Sequence, residues 1–390
     1  MNHNIDLITE GKAKFYASKD KDGKISRELE VFYNPVMKFN RDISILVLNN
    51  SGVKNFQIAD ILAGSGVRSI RFLLELKKGV MKTLFVNDID KNFVALFKKN
   101  LKLNDIKLNK TTSKNILITS YDANMMLLGY NGCDYIEIDP FGSPNDFLAS
   151  SIVRLSRGGI LAVTGTDTAS LSGTHYTTCK RSYWGKPLHN GLMHEVGLRI
   201  LIRKIQLIGA QHDKALIPIY TYFKDHYNRI IFRCIKGKLE ADKLIDQHKY
   251  LLYCNKCMSF KVSEYNYIKC DNCNEFMIYS GPMWTGKLYD EKLAEKIFKS
   301  NKDKTNTKFL ETIMQESKLD ARGIVGFYDI HELCQYYKKT IPNSETLMKQ
   351  ITEKGHNVSR THFALVGIKT DMPVGELVKT IEECAAMSQK

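Results

Sequence analysis

The chain has 390 residues, enough for about two or three domains with a sizeable core, and 43% of them are apolar, which excludes a disordered chain. No apolar run approaches the ~18 residues of a membrane span, and the polar stretch 1–14 lacks a secretory core, so a cytoplasmic protein is expected. The formal charge of +15 leaves two readings open: a polyanionic partner, nucleic acid first, or a lysine-rich proteome.

The opening segment 1–30 is polar and carries Lys12, Lys14, Lys19, Lys21 and Lys24. Asp22-Gly23 reads as a hairpin turn between two β-like runs. Such an arm suits a phosphate backbone or a solvated edge hairpin. The aromatic stretch 31–42 leads into a helix over 43–48. Its rings either cap a ligand or pack in the core.

The first strong strand spans 56–63. It runs into Gly64-Ser65-Gly66-Val67-Arg68 and a helix over 69–77. Strand, glycine turn, helix suits a nucleotide cofactor. Gly64 and Gly66 let a backbone approach the ligand, and the helix start offers free N–H groups. Ser69 stands where a dinucleotide fingerprint needs a third glycine. Arg68 in the turn suits the carboxylate of an amino-acid-like cofactor.

A second strand, 83–88, ends in Asp88, about twenty residues on, where an acid takes ribose hydroxyls. A helix over 90–103 follows. A third strand, 115–120, leads to Tyr121-Asp122-Ala123, with Asp122 placed to accept from an adenine amino group.

The fourth strand, 133–138, ends in Asp139-Pro140-Phe141-Gly142. Ligands gather at the carboxyl ends of parallel strands. Asp139 and the carbonyl before Pro140 could accept hydrogen bonds from an exocyclic amine, and Phe141 could stack on its ring. Asp-Pro and Gly also close strands for backbone reasons alone. A fifth strand over 159–164, a long amphipathic helix over 188–207, and two strands over 216–222 and 228–235 complete the domain. A parallel sheet finished by an antiparallel hairpin is the layout of S-adenosylmethionine-dependent methyltransferases.

His194-Glu195 looks like a zinc-protease helix, but position 198 is leucine, so His194 reads as a packing residue. Cys133 and Cys179 read as inert. After 236 the composition changes. Cys254, Cys257, Cys270 and Cys273 form two C-x2-C pairs twelve residues apart, a structural zinc pattern with no open coordination position. A turn-rich aromatic segment follows at 281–286, then helices and a winged-helix-like end over 344–363. The expected architecture is thus a Rossmann-like methyltransferase domain over 1–236 and an α+β domain over 237–390 with the zinc-ribbon-like cluster at 254–273.

Assembled in order, Phe32-Tyr33-Asn34-Pro35, Asn40-Arg41-Asp42, Gly66-Val67-Arg68, Asn87-Asp88-Ile89, Asp139-Pro140-Phe141-Gly142, Gly165-Thr166-Asp167, His194-Glu195-Val196-Gly197, Gly281-Pro282-Met283-Trp284-Thr285-Gly286 and Ser359-Arg360-Thr361-His362-Phe363 make the chain similar to the tRNA guanine-26 N2-methyltransferases of the archaeal and eukaryotic type. The resemblance covers most of the chain. It implies transfer of one or two methyl groups from S-adenosylmethionine to the exocyclic N2 of a guanine in tRNA. Asp139 then maps to the catalytic residue, within the Asp139-Pro140-Phe141-Gly142 motif. Phe141 and Phe32 map to the rings that sandwich the base, and Arg41, Arg68, Asp88, Asp122 and Ala123 to cofactor contacts. The 237–390 domain maps to tRNA binding, and a monomer is expected. Rival readings are a methyltransferase for another planar amine such as adenine N6, a nicotinamide oxidoreductase, and a non-catalytic zinc-containing RNA-binding protein.

Overall fold

A computed structural model describes residues 4–19, 31–108 and 115–387. The Asp22-Gly23 turn, with Lys21 and Lys24, lies outside the described residues. The first hairpin turns earlier: β1 (Asn4–Glu10) pairs antiparallel with β2 (Ala13–Lys19) across Gly11-Lys12. Ala13, Phe15 and Ala17 of β2 are fully buried, the period-two alternation of a strand with one wet face. The unpaired edge of β2 is satisfied by side chains: the N–H groups of Lys14 and Tyr16 each donate at 2.9 Å to Asn104 and Asn100. Such capping blunts an edge that could otherwise pair with another chain.

The chain forms two compact units, Met1–Thr164 with Ile231–Lys236, and Gly165–Ile230 with Gly237–Lys390. In the first, α1 (Lys38–Asn50) precedes alternating strands and helices. These are β3 (Phe56–Asp60), α2 (Val67–Glu75), β4 (Met81–Asn87), α3 (Phe93–Leu103), β5 (Asn115–Thr119), α4 (Ala123–Leu128), β6 (Cys133–Ile138), α5 (Asn145–Arg154) and β7 (Leu155–Gly165). The pairs β4–β5, β3–β4, β3–β6 and β6–β7 are all parallel. A sheet covered on both faces needs apolar residues at successive positions rather than alternate ones. Ile58 and Ala59 of β3, Ile136 and Ile138 of β6 and Ile160 to Val163 of β7 are accordingly fully buried.

The second unit opens with α6 (Thr168–Leu171), α7 (Tyr176–Tyr183) and the long α8 (Met193–Ala210). β8 (Lys214–Lys224) and β9 (Tyr227–Lys236) follow, residues Ile231–Lys236 of β9 belonging to the first unit. Only Asp225 and His226 join these hydrogen-bonded neighbours, so they run antiparallel, as expected of the terminal hairpin. The order of the seven-stranded sheet is β5-β4-β3-β6-β7-β9-β8.

After α9 (Lys238–Ile245), β10 (His248–Tyr253), β11 (Phe260–Ser263) and β12 (Ile278–Trp284) form a small sheet in the order β11-β10-β12. The expected turn at 281–286 is largely strand. Gly281 and Pro282 fall in an irregularity of the β10–β12 register, where a residue without an N–H is tolerated. α10 (Glu291–Ser300) and α11 (Thr307–Asp320) lead to β13 (Tyr328–Asp329), α12 (Ile330–Tyr337), α13 (Ser344–Glu353), β14 (Val358–Arg360), β15 (Gly367–Thr370) and α14 (Val374–Met387). Asp329 and Asn343 cap α12 and α13 by accepting from the second and third helical N–H groups. Leu333, Leu347, Ile351, Ile368 and Leu377 share the core beneath them. Among the described residues no helix is long and apolar enough to cross a membrane.

Candidate active site

The carboxyl ends of β3, β4, β5 and β6 meet at one edge of the first unit. Asn87, fully buried at the end of β4, stitches three of them. Its amide donates to the carbonyls of Ile61 (3.2 Å) and Tyr121 (2.9 Å), and its oxygen accepts from Tyr121 N–H (3.0 Å) and the Thr119 hydroxyl (2.8 Å). Nothing in its residue type marks it as the hub; only the fold shows that it bonds on both sides.

The glycine turn is held from the same edge. Asp88 accepts from Gly64 N–H at 2.7 Å and from Asp90 N–H at 3.1 Å, one on each oxygen. Ser65 N–H donates to the Phe32 carbonyl at 3.1 Å, so the aromatic segment lies on the turn. The glycines there have separate causes. Both are left-handed, with φ of 55° at Gly64 and 77° at Gly66. A side chain on Gly66 would strike the Phe97 ring at 2.3 Å, so this glycine serves packing. One on Gly64 would press the Phe32 carbonyl at 3.3 Å.

Asp139 follows β6, and its carboxylate is 17% exposed. It is paired directly with Arg68, one of the buried residues of α2. The other end of the Arg68 guanidinium donates to Asn40 (3.0 Å) and the Ser44 hydroxyl (2.9 Å) of α1, with Glu137 at 3.6 Å. Glu137 is itself fully buried and accepts from Ser44 and Tyr135. Asp60, on β3, accepts from Ser69 at 2.7 Å; burial raises it to about 7 against the opposing pull of Arg68. The sequence reading missed Asp60 and Glu137. The available signal was an acid set directly between apolar residues: Asp60 between Ala59 and Ile61, and Glu137 between Ile136 and Ile138.

Phe32 and Phe141 touch edge to face, with centroids 4.3 Å apart at 71°. Phe141 is 44% exposed, and Pro140 between it and Asp139 is half-buried. Arg41 is elsewhere engaged: it forms a bidentate pair with Glu10 of β1 and donates to the Asn34 carbonyl at 3.0 Å. Glu10 also takes Arg71 at 2.9 Å, and the two arginines hold its carboxyl at about 2 in spite of burial. Asp122 caps α4 through one oxygen, accepting from Asn124 and Met125 N–H, and Ala123 beside it is buried. Around these acids large apolar side chains stand open: Ile89 is 70% exposed, Tyr121 60% and Met125 71%.

In the second unit the four cysteines converge, all sulfur atoms lying within 4.8 Å of one another. The knuckles repeat each other. Met258 N–H donates to the Cys254 carbonyl and Asn274 N–H to the Cys270 carbonyl, at 2.8 and 2.9 Å, and both donors are left-handed. Cys133 and Cys179, by contrast, are isolated thiols pushed up to about 12 chiefly by burial. His194 stacks on Phe223, with centroids 3.9 Å apart, and burial lowers it. That is the packing role expected of it.

Residues 11–382 match the sequence profile of the family described as N2,N2-dimethylguanosine tRNA methyltransferase. The chain belongs to this family. A tRNA (guanine(26)-N(2)/guanine(27)-N(2))-dimethyltransferase of Aquifex aeolicus is 37% identical to it over 393 aligned positions, covering 97% of this chain and 96% of the relative. A tRNA (guanine(26)-N(2))-dimethyltransferase of Methanosphaera stadtmanae is 33% identical and covers 92% of each chain. Among solved structures, Trm1 from Pyrococcus horikoshii in complex with S-adenosyl-L-methionine superposes with a TM-score of 0.83 at 32% identity, over 97% of this chain and all of the other. Family membership therefore holds across both units and includes the small four-cysteine sheet within the matched range.

Proposed function

We propose that this protein transfers methyl groups from S-adenosylmethionine to the exocyclic N2 of guanine-26 in tRNA, acting as a cytoplasmic monomer. The observation that carries the reading is Asp139 at the end of β6, fixed by Arg68 and flanked by the Phe32–Phe141 pair. The family and the relatives' names supply the substrate class.

The exocyclic amine of guanine is a poor nucleophile because its lone pair is delocalised into the ring. Asp139 accepts from one N–H and the Ile138 carbonyl from the other, which turns the lone pair outward. Pro140 stiffens the bend that aims both acceptors. Asp139 then takes the proton that becomes acidic as the new C–N bond forms. Phe32 and Phe141 hold the base, which must leave its stack in the folded RNA. Sandwiching a ring requires about 3.5 Å on each face. The two side chains, in direct contact here, part when the base enters.

The strand ends fit the cofactor. Asp88 and Asp122 offer carboxylates between the exposed Ile89, Tyr121 and Met125, a polar and apolar mix suited to an adenosine group. Gly64 and Ala123 border the floor, and the Arg68 guanidinium beside Asp139 is the cation proposed for its carboxylate, whereas Arg41 is committed to Glu10 and Gly66 to packing against Phe97. The cofactor, when bound, would supply an electrophilic methyl and would keep the electron pair of the broken C–S bond as a neutral thioether. The four cysteines fit zinc: their cluster is compact enough for tetrahedral thiolate coordination, with sulfur–metal distances of about 2.3 Å. With every ligand supplied by protein, the ion is structural.

Incubating unmodified tRNA with the protein and S-adenosylmethionine, followed by mass spectrometry of the nucleosides, tests the reading. N2-methylguanosine or N2,N2-dimethylguanosine mapped to position 26 is expected. Methylated adenosine, or no methylated nucleoside, overturns it.

A further inference from the structure

The four-cysteine ribbon carries a surface that neither the metal nor the methyl-transfer site uses. Among the described residues of the second unit, Tyr267, Tyr265 and Phe276 are the most exposed aromatic side chains, at 73%, 71% and 53%. All three fall in the stretch around the second knuckle. An isolated antiparallel bridge sets Phe276 opposite Lys269. The Tyr267 ring lies almost flat on Phe276, with centroids 4.8 Å apart and an angle of 24°. The Lys269 ammonium sits 5.2 Å from the Phe276 centroid. The ribbon's other lysines are neutralised: Lys249 pairs with Glu264, Lys256 with Glu275 and Lys261 with Asp271, at 3.0, 2.7 and 2.6 Å. Lys269 makes no close ion pair among the described residues and only shares the field of Glu275, whose direct partner is Lys256.

A flat stack left in water beside a cation with no ion pair of its own is not how a small domain buries rings. It is the arrangement by which proteins hold unpaired nucleotides: bases stack on aromatic faces, and a nearby cation takes the phosphate. A base-paired helix presents no free base face, so the partner must offer unpaired ones. The chain's net charge of +15 complements a polyanion and disfavours an ordinary basic or neutral protein partner.

We propose that the Tyr267–Phe276 stack, with Lys269, is a docking platform for unpaired nucleotides of the RNA substrate. The proposal rests on the reading above that the substrate is tRNA, and it adds a contact remote in sequence from the base-modifying residues. It acts on RNA affinity and leaves the methyl-transfer step alone.

The test uses the full chain with its metal. Binding of a labelled single-stranded oligoribonucleotide and of a duplex of equal length is measured by anisotropy, beside steady-state methylation of tRNA. Tyr267→Ala should weaken single-strand binding by about 5- to 100-fold and raise KM for tRNA. Duplex binding, kcat at saturating tRNA and metal content should hold. Tyr267→Phe should restore binding. If Tyr267→Ala melts early or loses its metal, Phe276→Leu, which keeps an apolar support but removes the flat face, decides the matter in the same way. Unchanged single-strand binding, or an equal loss on duplex, overturns the platform; the first result would leave a protein partner as its occupant. If the unaltered protein methylates no tRNA, the functional reading fails, while the oligonucleotide comparison still decides this proposal.

Discussion

The guanidinium of Arg68 is paired with the carboxylate of Asp139, and through its other nitrogen it is anchored on Asn40 and Ser44. The carboxylate that the proposed mechanism needs is thus aimed by α1 and α2 as well as by its own strand. Removing the carboxylate and removing its anchor should therefore read differently. Asp139→Ala should lower kcat by about 10²- to 10⁴-fold, the usual worth of a positioned general base, while S-adenosylmethionine still binds by calorimetry. Arg68→Lys keeps the charge but loses the fork that spans both partners. It should lower kcat and weaken cofactor binding together. Near-normal turnover by Asp139→Ala would remove the proposed base.

The contact between Phe32 and Phe141 leads to a second expectation. If the rings part to admit the base, trimming either one should raise KM for tRNA more than it lowers kcat. Stacking is worth about 1–3 kcal/mol per base. Phe141→Ala, the more exposed position, should therefore raise KM by roughly 5- to 150-fold, and Phe141→Tyr should be mild. Initial rates across tRNA concentrations check this, and a pure kcat effect would contradict a clamp.

Much of this site was legible in the chain because it obeys local rules. The strand Cys133–Ile138 was bounded correctly by an apolar run that Asp139-Pro140 must end. The cysteine spacing announced its knuckles. What escaped was non-local. The Gly11-Lys12 turn was hidden because the polar segment after it offered Asp22-Gly23, a stronger turn dipeptide. Glu10 and Arg71 look like surface residues until the hairpin carries Glu10 between Arg41 and Arg71. Gly66 was read as making room for a ligand, yet the room is taken by Phe97, about thirty residues away in sequence. Sequence patterns report the face a residue belongs to; the partner that meets it is chosen by the fold.

The buried charges of the second unit set a pH window. Glu195 on α8 takes Lys369 of β15 at 2.8 Å on both oxygens and Arg199 at 2.9 Å, all three being almost fully buried. Burial alone would raise its carboxyl, but the two cations hold it at about 2, below the ordinary 4.5. The folded form then binds fewer protons than the unfolded chain between those values. Its stabilisation is complete above pH 4.5 and is lost as pH falls toward 2. Asp60 has the opposite sign. Raised from 3.8 to about 7, it costs stability as pH rises between those values. Glu195→Gln leaves two buried cations under-compensated and should cost about 3–5 kcal/mol, with a flatter acid limb. Asp60→Asn should gain stability relative to the unaltered protein from pH 4 to 8. Urea unfolding across pH checks both signs.

The proposed metal lies at the end of a small sheet where the buried cluster is small: Leu252, Met277 and three of the cysteines, with Tyr250, Ile268 and Tyr279 packed beside them. So small a cluster is a weak support for the knuckles by itself, and structural zinc contributes folding energy directly. Elemental analysis should therefore find about one zinc per chain. Chelation or Cys270→Ser should melt the ribbon before the methyltransferase sheet, giving a separate low-temperature transition in calorimetry. Because no coordination position is open, the cofactor should still bind the first unit after zinc is removed. Because the proposed platform on Tyr267 lies on this ribbon, the same treatment should raise KM for tRNA while kcat at saturation stays near its starting value. A metal-free protein with unchanged melting would make the cysteine cluster dispensable, and a loss of kcat alone would move the metal into the chemistry.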